Sequence, residues 1–186
     1  MRLPMSVKPN VISLLSVLIV LSSCNSLRDV TTSRTPGRVI DDGFIQRIAH
    51  RQIRKLEPKI HSGNISVHSF NRLVLLTGQV ENSVLVTLAE SAVRKIRIVK
   101  YVHNEISVSG PTSLTVRASD ALVSTKVRSK LLITRDVNLN RFKVVTDNGV
   151  VFLMGLVPRD EANRAVEAIR TVFGVQKVVK VLEYVD

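Results

Sequence analysis

The chain has 186 residues, 27 Lys and Arg against 15 Asp and Glu, and a formal net charge of +12, which points to an anionic partner. Its 45% hydrophobic content can fill two small cores, while the absence of Trp and a 4% aromatic content argue against stacking-based recognition of nucleic acid or sugar.

Residues 1–23 read as a signal segment. Arg2 and Lys8 form a basic start, and Val11 to Leu21 is an apolar run. It is shorter than the roughly 20 residues that span a bilayer but suits a secretory signal. Leu21-Ser22-Ser23-Cys24 follows and holds the only cysteine. This resembles a bacterial lipobox, in which cleavage precedes the Cys and the Cys carries the lipid; a plain signal ending near a free thiol is the alternative. A lone Cys makes no intramolecular disulfide, so an exported chain has little other use for it. The resemblance implies lipid attachment at Cys24. Asn25, where an Asp would favour inner-membrane retention, implies the periplasmic face of the outer membrane. Residues 24–40, rich in Ser, Thr and Arg, with Pro36 and Gly37, and lacking apolar periodicity, read as a lipidated flexible tether. Without residues 1–23 the chain keeps 25 basic and 15 acidic side chains. Behind a lipid anchor, the polyanions at hand are phospholipid headgroups, lipopolysaccharide phosphates and cell-wall polymers.

The rest is a tandem repeat. Leu73-Val-Leu-Leu-Thr-Gly78-Gln-Val80 returns as Val150-Val-Phe-Leu-Met-Gly155-Leu-Val157, and Asp42 and Asp120 stand at matching distances upstream. In unit 1 (41–109), Asp41 or Asp42 is expected to cap a helix to about Glu57 that turns Ile45, Ile48, Ala49, Ile53 and Leu56 inward and stops at Pro58. Ile65–Phe70 and Leu73–Val80 form a hairpin. A helix from Ser83 to about Lys100 places Val84, Leu88, Ala92, Ile96 and Val99 on one face, and Tyr101–Ser109 is the third strand. After a linker (110–118), unit 2 (119–186) repeats the order. Asp120 caps a helix to about Ile133, and Asn148-Gly149 turns a hairpin over 142–157. A helix from Glu161 to Phe173 directs Ala162, Ala165, Val166 and Ile169 inward and stops at Gly174. Val175–Tyr184 is the last strand. The fold class is α+β: two α-β-β-α-β units, each a three-stranded mixed sheet with two helices on one face. The short turn makes each hairpin antiparallel, and the helical crossover makes the third strand parallel to the second. Gly78 and Gly155 are expected to let a helix approach the sheet. Val150, Phe152 and Met154 make the uncovered sheet face apolar too, so it meets the other repeat or another protein.

This order, with Gly-x-Val ending the second strand and Gly174-Val175 opening the third, resembles the BON-domain family. Thr125-Lys-Val-Arg-Ser129 and Asn148-Gly149 carry the match in unit 2, and Gly78-Gln-Val80 and Asn104-Glu105-Ile106 in unit 1. Unit 1 departs from the pattern at Ile98, where the second glycine falls in unit 2, and the extra residue is placed in its second helix. The resemblance implies a non-enzymatic lipoprotein of the outer membrane that supports envelope integrity and binds anionic phospholipid through its second unit. It also implies envelope or division-site proteins as partners.

No catalytic constellation emerges from the residues. His50, His61, His68 and His103 are scattered, so no metal site is expected, and no cofactor or nucleic acid. Glu81, Glu90, Asp136 and Glu161 read as caps or solvated charges. Arg47, Arg51 and Arg54 form a basic stripe on the first helix that reads as a solvated face, with Phe44 beside it. On the third helix, Val123, Val127 and Leu131 face inward. Leu122, Lys126, Ser129 and Ile133, with Lys130 at the margin, form a separate stripe. Apolar tips with Lys between them suit a headgroup boundary, where Lys snorkels toward phosphate; contact with the other repeat is the alternative. The resemblance favours lipid, although better-known relatives carry Trp where this chain has Leu122. A second reading is an adaptor docking a protein through the Val150/Phe152/Met154 face.

Overall fold

The computed structural model describes residues 35–56 and 65–185. The signal segment, Cys24, most of the tether, Pro58 and His61 lie outside the described residues. Helix α1 (Pro36–Leu56) leads into strands β1 (Ile65–Phe70) and β2 (Leu73–Val80), then α2 (Ser83–Arg94) and β3 (Tyr101–Val108). The second unit runs α3 (Leu114–Leu132), a 3-10 turn (Leu139–Arg141), β4 (Phe142–Asp147), β5 (Val150–Val157), α4 (Arg159–Arg170) and β6 (Lys177–Tyr184). Each sheet has its second strand in the middle, antiparallel to the first and parallel to the third. Both units therefore have the expected α-β-β-α-β order.

Alternation along the strands sorts side chains between two faces. In unit 1, Val67, Val74, Leu76 and Val102 meet Ile45, Ala49 and Ile53 of α1 and Leu85, Ala89 and Val93 of α2. In unit 2, Val144, Val151 and Leu153 meet Val123, Val127 and Leu131 of α3 and Ala162, Ala165 and Ile169 of α4. The faces away from the helices close on each other: Phe70 and Leu75 pack with Val145, Phe152, Met154 and Val181. The result is four layers, helices–sheet–sheet–helices. Polar contacts edge this central layer. Lys100 pairs with Glu183 at 2.8 Å, Asn71 donates to Glu183, and Lys143 Nζ donates to the Ser69 carbonyl at 3.3 Å. All three apolar clusters draw on residues from Ile45 onward, so this body carries its own cores.

Several local expectations are corrected. Helices α1 and α3 begin six residues before Asp42 and Asp120, and Ser113 caps α3. The two buried aspartates instead clamp the hairpin turns. Asp42 accepts from the Ser69 hydroxyl (2.7 Å) and the Asn71 and Arg72 amides (2.8 Å each); Asp120 accepts from the Asn148 and Gly149 amides (2.8 and 2.9 Å). Those turn residues hold positive φ at both central positions, 52° and 65° in unit 1 and 51° and 76° in unit 2, where donors converge on one carboxylate. The near-equal spacing from acid to strand glycine, 36 residues in unit 1 and 35 in unit 2, reflects this clamp.

Helix α2 ends at Arg94, and its core face is Leu85, Ala89 and Val93, one residue on from the expected row. Asn82 accepts from the Leu85 amide and fixes that phase. Val84 and Leu88 are left exposed, as is Leu56 of α1. Helices α2 and α4 have equal lengths of 12 residues. The extra residue of unit 1 therefore sits in the strand-to-helix turn, Glu81-Asn82 against Pro158 alone. At Gly155, what approaches is no helix: an added Cβ would meet the Arg141 carbonyl and Phe142 at 3.0 Å. Glu161 is a buried ion-pair partner rather than a solvated charge. It accepts from Arg141 and from the Asn138 amide, both at 2.7 Å, and so holds the 3-10 turn against α4.

Candidate membrane-contact patch and neighbouring clefts

Helix α3 buries Val123, Val127 and Leu131, which turns the predicted stripe to solvent. Leu122 is 63% and Ile133 79% exposed, Lys126 and Ser129 are exposed, and Lys130 is half-buried. These positions run along about 16 Å of one helix face. Phe173, expected as the last residue of the last helix, lies in the turn after α4 and is 88% exposed. Lys126 Nζ sits 5.4 Å from its ring centroid, a cation–π contact that joins turn to helix. Gly174 makes the approach possible: its φ is 98°, and a Cβ there would come within 2.8 Å of Val123. Phe173 is thus the residue that sequence reasoning missed. An aromatic just before a stop glycine, in a chain with five Phe, was the available signal. Leu122 and Phe173 are thus exposed apolar tips flanking Lys126, and Ile133 is a further exposed tip at the end of the stripe.

The sheet face offered as an adaptor surface is not available. Phe152 and Met154 are buried against Phe70 and Leu75 of the other unit.

Between the units lies a polar cleft of about 410 Å³ lined by His68, Gln79, Arg117, Arg128, Lys143 and Asp147, among others. Burial, then the Lys143 ammonium, hold the His68 imidazole down to about 4. Burial pushes the Asp147 carboxyl up, against hydrogen bonds that stabilise its anion. With acids and bases interleaved, the cleft offers no single-sign ligand field. Among the described residues, no three His, Cys, Asp or Glu side chains gather as a metal site, and no helix is long and apolar enough to cross a membrane.

The BON domain matches residues 41–110 and 119–186. This chain belongs to the BON-domain family. The chain is 34% identical to the outer membrane lipoprotein DolP of Haemophilus influenzae, over 84% of this chain and 81% of that protein. It is 32% identical to a 21 kDa hemolysin of Actinobacillus pleuropneumoniae, over 82% of this chain and 79% of that one. Among solved structures, CdsD, a structural protein of the type III secretion system of Chlamydia trachomatis, is 13% identical. It covers 73% of this chain and 91% of its own, with a TM-score of 0.32.

Proposed function

We propose that this chain is a non-enzymatic outer-membrane lipoprotein, anchored at Cys24 on the periplasmic face, whose second BON unit holds anionic phospholipid and supports envelope integrity. The observation that carries the reading is the patch formed by α3 and the turn after α4: exposed Leu122 and Phe173 flanking Lys126, with exposed Ile133 at the end of the stripe. Apolar tips enter the headgroup boundary while Lys126 and Lys130 neutralise lipid phosphate, each contributing about 1 kcal/mol at an anionic surface. The likeness to DolP, an outer membrane lipoprotein by name, supports the location. An anchor raises local concentration, so recognition by the folded body need only be weak.

The test is flotation of residues 25–186 with neutral and with phosphatidylglycerol-rich vesicles. Binding to the anionic vesicles alone, weakening with salt, is expected. Leu122→Glu with Lys126→Glu should abolish it without unfolding the protein, and reversing Arg47 and Arg51 should matter less. A parent that ignores anionic vesicles overturns the reading. For the anchor, Cys24→Ala should abolish fatty-acid labelling of the full chain; unchanged labelling excludes Cys24.

A further inference from the structure

The helix pair of unit 1 carries a feature that the lipid reading leaves unused. Two rows at i,i+4 spacing stand side by side: Phe44, Ile48, Gln52 and Leu56 on α1, apolar but for Gln52, and Leu88, Ala92 and Ile96 on α2 and the turn after it. Between them runs an apolar groove of about 450 Å³. Its walls are not idle core. Phe44, Leu56 and Leu88 remain exposed although the core rows of the same helices are fully covered. Rows spaced by four residues are the ridges between which a third helix packs, and the small side chains of Ser91 and Ala92 let its backbone come close. From Phe44 to Leu56 the α1 wall is about 18 Å long, the length of some three helical turns. Lys95 and Arg97 lie at the rim and no acid lines the groove. Arg51 and Lys55 add positive charge on the exposed side of α1.

We infer that unit 1 is a protein-docking module whose groove receives one amphipathic helix of a partner, with aliphatic anchors at i, i+3/i+4 and i+7 and acidic residues flanking them. The basic rim selects the acidic flanks and sets orientation, while the groove supplies burial. This goes beyond the phospholipid contact of unit 2 and uses no residue of it.

The probe is a labelled 15-residue peptide helix with Leu at those anchor positions and Glu on both flanks, paired with a copy carrying Lys in place of Glu. Both are titrated by fluorescence anisotropy against residues 25–186. The parent should bind the Glu peptide at least ten-fold tighter than the Lys peptide. Leu88→Glu, which sets a charge in the groove, should weaken the Glu peptide at least ten-fold. Ala92→Phe, which fills the groove without adding charge, should do the same and serves if Leu88→Glu fails to fold by circular dichroism. Lys95→Glu with Arg97→Glu should reverse the preference between the peptides, a result that non-specific apolar adhesion does not give. Leu122→Glu with Lys126→Glu should leave peptide binding unchanged, so the two sites succeed or fail separately. The inference is overturned if the parent takes both peptides alike, or if the groove variants bind as the parent does. It is also overturned if the groove proves to be a lipid slot, binding parinaric acid but not the peptide, or a self-contact, seen as a dimer in sedimentation that Leu88→Glu dissociates.

Discussion

Where unit 1 has Ile48 on its first helix and Arg97 in the turn after its second, unit 2 has Lys126 and Phe173. The repeat aligns these positions through Asp42 with Asp120 and Ile98 with Gly174, so cationic and apolar groups have changed places on one scaffold. Unit 1 thereby keeps an aliphatic groove with charge at its rim, and unit 2 an exposed patch with apolar tips near a lysine. Nothing comparable separates the inner layers, where both units use the same clamp, the same register and the same alternation. The difference teaches that the buried faces specify the fold and leave the outer helical faces to specify what each unit touches.

The largest expected effect breaks the likeness at the central layer. Phe70→Ala and Phe152→Ala, one on each sheet, should each cost about 3–5 kcal/mol in urea denaturation. A near-zero cost for either would show that the sheets are not held by that cluster. Next come the clamps. Asp42→Ala leaves three donors without their acceptor and should cost about 3 kcal/mol, and Asp120→Ala, which leaves two, about 2 kcal/mol. Equal costs would make the extra Ser69 bond inert. His68 sharpens the contrast by pH. Its folded pKa, about 4, lies below the ordinary 6.5. Its contribution is therefore present above pH 6.5 and lost as pH falls toward 4, by roughly 3 kcal/mol at most. His68→Gln should flatten that part of the stability profile. Asp147, shifted upward by burial, has the opposite sign: its protonation favours the fold as pH falls, and Asp147→Asn should remove that gain. The smallest of these effects is Gly174→Ala, at about 1–3 kcal/mol from the positive φ and the Val123 contact. At Ile98 unit 1 makes the same turn without a positive φ.

Element order and strand pairing were legible because hydrophobic alternation and the Asn148-Gly149 turn act locally. The stripe of Leu122, Lys126, Ser129 and Ile133 was legible for the same reason: Val123, Val127 and Leu131 fix its helix's rotation. Local pattern failed where a long-range partner decides. Asp42 and Asp120 look like helix caps until the hairpin turns fold back onto them. On α2 two apolar rows compete, and the Asn82 cap selects Leu85, Ala89 and Val93 over Val84, Leu88 and Ala92. Phe173 reads as the last helix residue because nothing in the sequence ends α4 at Arg170. The sequence allows Val150, Phe152 and Met154 either of two partners, and the facing residues Phe70 and Leu75 decide between them.

The sheet-to-sheet layer also imposes an order on folding. Delivered N-terminus first, unit 1 can complete its own helix-covered core while Phe70 and Leu75 stay uncovered. The 73 residues from Leu114 to Asp186 must follow before β4, β5 and β6 can close over them. During that interval the chain presents a sticky sheet face to whatever is near, so the delay before unit 2 arrives is the window in which the protein most needs a chaperone.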